Sequence, residues 1–427
     1  MRFGFSDKKC GLLGEKLGHS FSPQIHAMLS DYSYRLFEVS PDKLSDFMAD
    51  GSLDAFNVTI PYKKAVIPYL DELSREARDI GAVNVVVRKN GKLLGYNTDY
   101  FGFEYMIDSA KISVKGKKAI LFGNGGAAAP IKAVLSDKGI GNLVVIDKDE
   151  NTPAFLSAHA DAQIIINATP VGMYPNNRKC VTDLSLFPNC EAVLDIVYNP
   201  VRTELLLSAE ARGITAVGGL SMLVAQAVRG FELFTGEPSE NGITEKILDK
   251  LLRDMQNIIL IGMPSCGKST VGKLIASATN RSFFDADEEF LKMHGISPEN
   301  AINSLGEAKF RDMEKETLAF LGKMSSSVIA TGGGAVTRKE NYPSLHQNGI
   351  IVYIKRDIDR LSTEGRPLSR AGSLQSLFEA RKPLYESFAD ITVENNSTCE
   401  LCVSNTLDAL SEYRYSCAHF FKIKELL

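Results

Sequence analysis

Short apolar runs alternate with amphipathic stretches along this chain, which predicts strands that alternate with helices. The clearest run, Ile-Ile-Leu-Ile at residues 258–261, precedes a loop and a helical pattern over residues 270–276. Apolar runs without polar alternation are typical of strands buried on both faces of a parallel sheet. Further runs of this kind lie at residues 117–122, 143–146, 163–166, 192–197, 327–329 and 352–354. The pattern therefore predicts an α/β fold.

The length of the chain and one amphipathic helix predict two domains. A chain of 427 residues exceeds what one ordinary hydrophobic core accommodates. A helical period places Ile243, Ile247 and Leu251 on one face, and we expect this helix to close the first domain. We predict a first domain at residues 1–255 and a second at residues 256–427. The first domain divides into residues 1–105, residues 106–235 and the closing helix at residues 236–255.

Composition and charge exclude several classes of protein. Hydrophobic residues make up 44% and charged residues 23% of the chain, as in soluble globular proteins. A net charge of −4 gives no electrostatic reason to expect a nucleic-acid partner. The N-terminus lacks the apolar segment of a signal peptide, and the uncharged stretch at residues 213–228 is short for a membrane span. Seven cysteines without framework spacing fit reduced thiols, so we expect a cytoplasmic protein and leave its oligomeric state open.

The loop GMPSCGKS has the spacing of a phosphate-binding loop, with Gly262, Gly267, Lys268 and Ser269 at its defining positions. Glycines let the backbone N–H groups turn toward phosphate oxygens, and the helix that continues through Thr270 adds its N-terminal dipole. Lys268 would reach the outer phosphates, and the hydroxyl of Ser269 would bind Mg²⁺. We therefore predict ATP and Mg²⁺ as ligands. A glycine-rich turn without a ligand is the alternative.

Charged residues downstream of this loop are candidates for a metal site and a substrate site. In FFDAD, Asp285 and Asp287 alternate at the end of a predicted strand, so Asp285 would serve the Mg²⁺ shell while Asp287 faces a substrate hydroxyl. Arg311 and Glu314 share one face of a helix, although such a pair is more often a surface salt bridge. The glycines of ATGGGAV let the backbone approach a ligand, and we interpret the segment between GRPLS and ARKPLY as a lid.

Together these motifs resemble the shikimate kinase family over about residues 256–412, with GMPSCGKS, FFDAD, FRDME, TGGG, RPL and RKPLY in order. The resemblance implies a P-loop kinase domain with a parallel sheet flanked by helices, which phosphorylates the 3-hydroxyl of shikimate with ATP. It implies catalytic roles for Lys268, Asp287 and Arg366. It also implies substrate contacts from Arg311, Glu314, Gly333, Gly334 and Arg381. Another small-metabolite P-loop kinase is the alternative, and two arginines suited to a carboxylate disfavour it.

Motifs in the first part of the chain place polar residues near the ends of predicted strands. Ser20 and Ser22 lie in LGHSFSP, where two hydroxyls could bind a polar ligand or merely start a helix. Lys63 ends NVTIPYK and Asp99 ends GYNTD. As a pair they would handle a proton next to an alcohol or ketone, whereas a surface lysine and a helix N-cap are the alternatives. Asn84 lies in an apolar strand, where its amide must be hydrogen-bonded.

The strand at residues 117–122 runs into GNGGAAA, which has the spacing of a dinucleotide-binding loop with Ala128 at the third glycine position. Asp147 ends the next strand. A carboxylate at that place bonds a free ribose 2′-hydroxyl and repels a 2′-phosphate. The positive charge of the neighbouring Lys148 would instead attract a 2′-phosphate.

In order, LGHSFSP, NVTIPYK, GAVN, GYNTD, GNGGAA, NATPVGM, YNP and GGLSMLVAQ resemble the shikimate dehydrogenase family over about residues 8–253. The resemblance implies an α/β substrate domain plus a Rossmann-like dinucleotide domain, which reduce 3-dehydroshikimate to shikimate with a nicotinamide cofactor. Lys63 and Asp99 would be the catalytic pair. Substrate contacts would come from Ser20, Ser22, Thr59, Asn84, Tyr198 and Gln226. The cofactor would lie against Gly123, Gly125, Gly126, Ala127, Asp147, Lys148, Gly219 and Met222.

The chain is thus expected to be a bifunctional enzyme of chorismate and aromatic amino acid biosynthesis, acting on 3-dehydroshikimate and then on shikimate. NADP is the default cofactor of the family, but Asp147-Lys148-Asp149 stands where NADP-dependent members have Asn-Arg-Thr, which favours NAD. The stretch between Asp147 and Gln163 is short for the family, and we expect a strand–helix unit to be missing there. A quinate/shikimate dehydrogenase of NAD type and a non-catalytic first half that regulates the kinase are the alternatives.

Overall fold

The computed structural model describes residues 4–18, 20–361 and 374–417. The chain forms two compact units, each assembled from more than one stretch. The first unit contains the chain up to Val171 together with Val181–Tyr198 and Ile214–Leu248. The second contains Gly172–Cys180, Asn199–Gly213 and the chain from Asp249 onward. Among the described residues, no helix is both long enough and apolar enough to cross a membrane.

The first unit opens with a mixed six-stranded sheet in the order β2-β1-β3-β5-β6-β4. Its strands are β1 (Lys9–Gly14), β2 (Ser33–Glu38), β3 (Ala55–Val58), β4 (Glu72–Leu73), β5 (Val85–Lys89) and β6 (Lys92–Tyr96). β1 runs parallel to β2 and β3, whereas β5 runs antiparallel to β3 and β6. The apolar β1 is buried from Cys10 onward, whereas β2 is mostly exposed at the sheet edge. The accompanying helices are α1 (Ser22–Leu29), α2 (Leu44–Ala49), α3 (Arg75–Ile80) and α4 (Asp99–Ser109).

A second, all-parallel sheet of five strands has the order β11-β10-β9-β7-β8. Its strands are β7 (Lys118–Phe122), β8 (Asn142–Ile146), β9 (Ile164–Asn167), β10 (Ala192–Asp195) and β11 (Thr215–Gly218). The helices of this stretch are α5 (Ala128–Asp137), α6 (Pro153–Ser157), α7 (Glu204–Ala211), α8 (Leu220–Thr235) and α9 (Ile243–Met255). The strand order changes direction between β7 and β9, which creates the crevice of a doubly wound fold. The predicted Rossmann-like part is therefore confirmed.

The connection from β8 to β9 is short. Every residue between Asp147 and Gln163 is described, and this stretch holds a 3₁₀ turn at Lys148–Glu150 and α6 but no strand. β8 consequently forms the edge of the sheet. The predicted loss of a strand holds for this crossover, although a short helix is retained.

The sheet of the second unit is parallel and has the order β13-β14-β12-β15-β16. Its strands are β12 (Asn257–Ile261), β13 (Ser282–Asp285), β14 (Ser327–Ala330), β15 (Gly349–Lys355) and β16 (Ile391–Glu394). Later helices are α10 (Lys268–Thr279), α11 (Ala286–His294), α12 (Pro298–Leu305), α13 (Glu307–Leu321), α14 (Asn341–His346), α15 (Leu374–Phe388) and α16 (Cys399–Cys417). β12 is central and every one of its residues is buried, as its apolar sequence predicts.

The FFDAD stretch differs in detail from its prediction as a strand end with two alternating acids. Asp285 is the last residue of β13, but Asp287 already lies in the first turn of α11. The carboxylate of Asp285 accepts a hydrogen bond from the backbone N–H of Asp287 at 3.0 Å, and this N-cap starts the helix. The two acids are therefore placed by a cap and not by strand alternation.

Candidate active sites

A cavity of about 330 Å³ in the first unit collects all the side chains predicted there for substrate binding and proton transfer. The residues lie after β1, at the start of α1, after β3, before β5, at the start of α4, after β10 and within α8. Motifs that are far apart in the chain thus converge on one cavity. Its predicted lining residues are Ser20, Ser22, Thr59, Lys63, Asn84, Asp99, Tyr198 and Gln226.

Lys63 and Asp99 form an ion pair in the wall of this cavity, with 2.5 Å between Lys63 Nζ and Asp99 Oδ2. The side chain of Asp99 is 8% exposed and that of Lys63 is 24% exposed. Asp99 is the first residue of α4, where the helix N-terminus favours a negative charge. The carboxylate therefore holds the ammonium group in one position, from which it can donate a proton to an oxygen in the cavity.

Asn84 is held by Thr98, a cavity residue that sequence reasoning missed. Asn84 Oδ1 accepts from the Thr98 backbone N–H at 2.7 Å, and Asn84 Nδ2 donates to Thr98 Oγ1 at 3.1 Å. These bonds orient the Asn84 amide beside Asp99, which follows Thr98 in the chain. Thr98 lies inside the GYNTD motif, and that position is the signal that could have found it. A single hydroxyl in a motif does not, however, indicate that its partner is Asn84.

Several hydroxyl groups lie in or beside the cavity wall. The Ser20 hydroxyl accepts from the backbone N–H of Ser22 at 3.2 Å. Tyr34 donates from its hydroxyl to Asn57 Oδ1 at 2.7 Å, and Asn57 also lines the cavity although it was not predicted. Burial raises the pKa of Tyr198, so its hydroxyl stays protonated at neutral pH and can donate to an acidic ligand. The cavity therefore suits a small ligand with several oxygens.

The glycine-rich loop after β7 depends on Gly123. Its φ is +97°, and a Cβ there would lie 2.8 Å from Thr169 Cγ2, so only glycine fits where the loop meets the chain after β9. A Cβ at Gly125 or Gly126 would meet no heavy atom within 4 Å. These two positions consequently leave backbone open to a ligand, and Ala127 then leads into α5.

Asp147 caps the turn that follows β8. Its Oδ1 accepts from the backbone N–H of Lys148 at 2.7 Å, and its own N–H donates to Glu150 Oε2 at 3.1 Å. Asp147, Lys148 and Glu150 are exposed, so two carboxylates lie at this strand end.

The predicted nicotinamide residues lie on α8 and just before it. Gly219 precedes α8, and a Cβ there would lie 2.0 Å from the carbonyl oxygen of Ile196. Met222 is buried within the same helix. Neither residue lines the cavity that holds Lys63 and Asp99.

The phosphate-binding loop of the second unit connects β12 to α10. Gly262 has φ +146°, and a Cβ there would lie 2.5 Å from the carbonyl oxygen of Ile354. Gly267 has φ +100°, and a Cβ there would lie 2.5 Å from Asn395 Nδ2. Both glycines are therefore required by backbone conformation and by space. The buried Lys268 begins α10, and its Nζ donates to the carbonyl oxygens of Gly262 and Met263 at 2.9 Å.

Ser269 and Asp285 form the pair predicted to hold Mg²⁺. Ser269 Oγ donates to Asp285 Oδ2 at 2.6 Å. A hydroxyl and a carboxylate are the oxygen ligands that Mg²⁺ takes next to a phosphate, with water and phosphate oxygens completing its shell. The residues present thus fit the ion. Thr270 follows in the first turn of α10.

A buried cluster of charges lies at the start of α13. Arg311 Nη1 donates to Glu314 Oε2 at 2.7 Å, and Arg311 Nη2 donates to Glu307 Oε1 at 3.1 Å. The side chains of Arg311 and Glu314 are only 6% and 7% exposed, so the alternative of a surface salt bridge is wrong. Burial raises the pKa of Glu314 despite Arg311, and the charge of Asp287 raises it further. Asp287 thus belongs to the same cluster.

Three glycines after β14 bring this cluster to the phosphate-binding loop. A Cβ on Gly332 would meet Glu314 Oε1 at 2.8 Å, and one on Gly333 would meet Pro264 Cδ at 2.7 Å. The Gly333 carbonyl accepts from Arg381 Nη1 at 3.1 Å and from the hydroxyl of Tyr385, which sequence reasoning missed. Arg366 and residues 370–373 of the predicted lid lie outside the described residues, whereas residues 374–379 of that segment form the first part of α15.

Gly334 allows a sharp test of the role of Arg311. Its φ of −102° suits any residue, but a Cβ would lie 2.2 Å from both Nη atoms of Arg311. We expect Gly334→Ala to displace that guanidinium and to raise the KM for a carboxylated phosphoryl acceptor at least about tenfold, since a charged hydrogen bond contributes about 1.5–3 kcal/mol. The KM for ATP should change little, whereas the melting temperature should fall, because a displaced guanidinium leaves the buried Glu314 without its partner. Steady-state kinetics with each substrate varied in turn check this, and an unchanged acceptor KM would contradict it.

Two regions of the chain match families of known proteins. Residues 12–86 match the family model described as "Shikimate dehydrogenase substrate binding domain". Residues 264–411 match the model described as "Shikimate kinase". Both matches lie within the ranges in which the sequence motifs resemble these families.

Proteins similar to the first half extend the likeness. Shikimate dehydrogenase (NADP(+)) from Clostridium perfringens (strain 13 / Type A) is 37% identical over 266 residues, which covers 57% of this chain and 98% of the relative. The structure of shikimate dehydrogenase 1 from Peptoclostridium difficile has 36% identity and a TM-score of 0.51, covering 59% of this chain and 98% of that chain. The structure of a chorismate mutase/shikimate 5-dehydrogenase fusion protein from Clostridium acetobutylicum has 34% identity and a TM-score of 0.53. The match covers 57% of this chain and 96% of that chain.

Proposed function

This chain belongs to the shikimate dehydrogenase family and carries a shikimate kinase domain, and we propose that it reduces 3-dehydroshikimate to shikimate and then phosphorylates shikimate with ATP. It is a bifunctional enzyme of the shikimate pathway, an oxidoreductase joined to a phosphotransferase. The observation that carries the proposal is that each unit assembles its own set of charged site residues. Lys63 pairs with Asp99 in the first unit, and Lys268 lies beside Ser269 and Asp285 in the second.

In the first unit, the Lys63–Asp99 pair is positioned to complete the reduction of a ketone. A bound nicotinamide cofactor supplies the hydride. Negative charge then develops on the ketone oxygen, and the Lys63 ammonium stabilises that charge and donates the proton that makes the alcohol. Asp99 orients the ammonium through the 2.5 Å contact. Ser20, Ser22 and Tyr198 offer hydroxyl donors for the substrate carboxylate.

In the second unit, the charged groups suit transfer of a phosphoryl group to an alcohol. ATP supplies the phosphoryl group, and Lys268 neutralises charge on the phosphates while Ser269 and Asp285 hold Mg²⁺. Asp287 accepts the proton of the attacking hydroxyl. Arg311 and Arg381 bind the substrate carboxylate, because a guanidinium offers paired donors to two oxygens. Arg366 would neutralise charge on the phosphoryl group during its transfer.

The carboxylates at the end of β8 support the use of NADH alongside NADPH. Two exposed acids, Asp147 and Glu150, lie at this strand end, and their negative charges would repel the 2′-phosphate of a cofactor whose ribose lies there. We expect Asp147→Asn to raise the ratio of kcat/KM with NADPH to that with NADH by about fivefold, because an exposed charge pair is worth about 1 kcal/mol. Asparagine can still accept the capping bond, so folding should be unaffected.

Assays with 3-dehydroshikimate and each cofactor in turn check that ratio, and Asp161→Asn, at an exposed acid in the turn before β9, serves as the matched control. A ratio unchanged in Asp147→Asn would contradict a role for this carboxylate in cofactor choice. The same assays test the dehydrogenase proposal itself. Failure to oxidise either cofactor would favour a non-catalytic first half, whereas faster turnover of quinate with NAD would favour the quinate/shikimate dehydrogenase alternative.

A further inference from the structure

Two stretches from the first half of the sequence belong to the second unit. They are Gly172–Cys180, which follows β9, and Asn199–Gly213, which contains α7. The kinase family match begins only at residue 264, so it gives these stretches no role. Within the second unit they contact α14 and Gln347, the residue that follows this helix.

Hydrogen bonds from both stretches converge on the C-terminal end of α14. Asn177 Nδ2 donates to Gln347 Oε1 at 2.7 Å, and Arg178 Nη1 donates to Ser344 Oγ at 2.7 Å. Arg202 donates from its backbone N–H to the carbonyl oxygen of Gln347 at 2.8 Å and from Nη1 to that of His346 at 3.2 Å. The carbonyl groups at this helix end are thus satisfied by residues from outside the kinase match.

Buried charges reinforce the same contact. Arg202 Nε lies 3.3 Å from Glu210 Oε1, and Glu210 Oε2 lies 3.8 Å from His346 Nε2. His346 Nδ1 lies 3.2 Å from Asp390 Oδ2, and Arg202, His346 and Asp390 are all buried. A buried guanidinium is tolerated only when it is paired, so Arg202 depends on the Glu210 carboxylate, and the His346 ring links that carboxylate to Asp390. The row runs from α7 through α14 to the residue before β16.

The other end of α14 is tied to the kinase site. Asn341, the first residue of α14, is fully buried, and its Nδ2 donates to the carbonyl oxygen of Ala335 at 2.8 Å. Ala335 follows Gly334, whose Cα faces the Arg311 guanidinium closely enough to exclude a methyl group. The Ala335 N–H also donates to the Gly332 carbonyl oxygen at 3.1 Å. A shift of α14 would therefore move the loop that borders Arg311.

We propose that residues 172–180 and 199–213 hold α14 in place, and that Arg202 and Glu210 thereby act as positioning residues for acceptor binding at the kinase site. The claim about acceptor binding rests on the proposed kinase function. The claim that these stretches hold residues 335–347 in a fixed conformation does not rest on it.

Kinetics on the full-length chain test the proposal. Arg202→Met and the milder Glu210→Gln should raise the KM for shikimate in the kinase reaction by about two- to thirtyfold, the range for changes that act through an intervening element. The kcat, the KM for ATP and the dehydrogenase rate should stay within error. Asn341→Ala should reproduce the KM effect from the other end of α14. The exposed Arg212→Met, on the same stretch, is the matched control and should change nothing.

Hydrogen exchange supplies a readout that does not need turnover. Faster exchange at residues 335–347 in Arg202→Met and Glu210→Gln, with unchanged exchange in the phosphate-binding loop, is the expected result. Unchanged exchange at residues 335–347 would overturn the proposal, as would equal increases in the KM for ATP and for shikimate. If shikimate is not phosphorylated by the parent protein, the proposed function fails, and the exchange result still decides the role of these residues.

Discussion

Replacing Lys63 with Met will lower the dehydrogenase kcat by about 10² to 10⁴-fold, the usual contribution of a positioned proton donor. Methionine is similar in length to lysine but carries neither the charge nor the proton. Asp99 then remains as a buried carboxylate without its 2.5 Å partner, next to the oxygen that must become negative. The lost stabilisation of that oxygen by Lys63 and its repulsion by Asp99 both lower the rate. Oxidation of the cofactor in the presence of 3-dehydroshikimate measures the effect.

The neighbouring lysine provides the control for this substitution. Lys64 is exposed and does not line the cavity, so Lys64→Met should retain the parent rate. The kinase rate of Lys63→Met should equal that of the parent protein, because Lys63 belongs to the first unit only. A dehydrogenase rate within tenfold of the parent would exclude Lys63 as the proton donor.

Replacing Lys268 with Met will lower the kinase kcat by about 10² to 10³-fold, the typical loss when one charge-stabilising donor is removed from a closed site. Lys268 is buried at the start of α10, where its ammonium group is shielded from water and acts at short range. Its present bonds to the carbonyl oxygens of Gly262 and Met263 place it inside the phosphate-binding loop. Release of ADP in the presence of shikimate measures the change.

Lys273→Met is the matched control, since Lys273 lies exposed on the same helix. Its ammonium group sits 5.7 Å from the ring of Phe283, an interaction worth about 0.5–1 kcal/mol at an exposed site, so folding should survive its loss. Dehydrogenase activity should be normal in both variants. If Lys268→Met abolished both activities, the two sites would not be independent.

The buried parallel strands were predictable from sequence, whereas the exposed edge strands were not. β7, β9 and β12 are apolar at every position but one, and such runs have few alternatives to a sheet interior. β2 is mostly exposed, and the two residues of β4 carry no period. Strands of this kind are specified by pairing with a neighbour and not by their own pattern.

The candidate sites were predictable where a motif combines residue type with spacing. Lys63, Asp99 and Lys268 were found for this reason. Thr98 and Tyr385 were missed because their roles depend on hydrogen bonds to distant parts of the chain, to Asn84 and to the Gly333 carbonyl. The sequence also did not predict that Asp287 lies in the first turn of α11, from which it approaches the cluster of Arg311 and Glu314.

Membership of the second unit was the feature least accessible from sequence. Asn199–Gly213 begins directly after Tyr198, a cavity residue of the first unit. The local sequence of this stretch does not indicate which core α7 joins. Long-range contacts such as Arg202 to His346 arise from the tertiary fold and leave no local signal.

The conversion of 3-dehydroshikimate by the single purified chain tests the central claim most directly. The protein is supplied with 3-dehydroshikimate, NADPH or NADH, ATP and Mg²⁺, and the products are followed by phosphorus and proton NMR. We expect shikimate 3-phosphate, formed through free shikimate, with cofactor oxidation and ADP release in equal amounts at completion. Persistence of 3-dehydroshikimate with both cofactors, or accumulation of shikimate that is never phosphorylated, would contradict it.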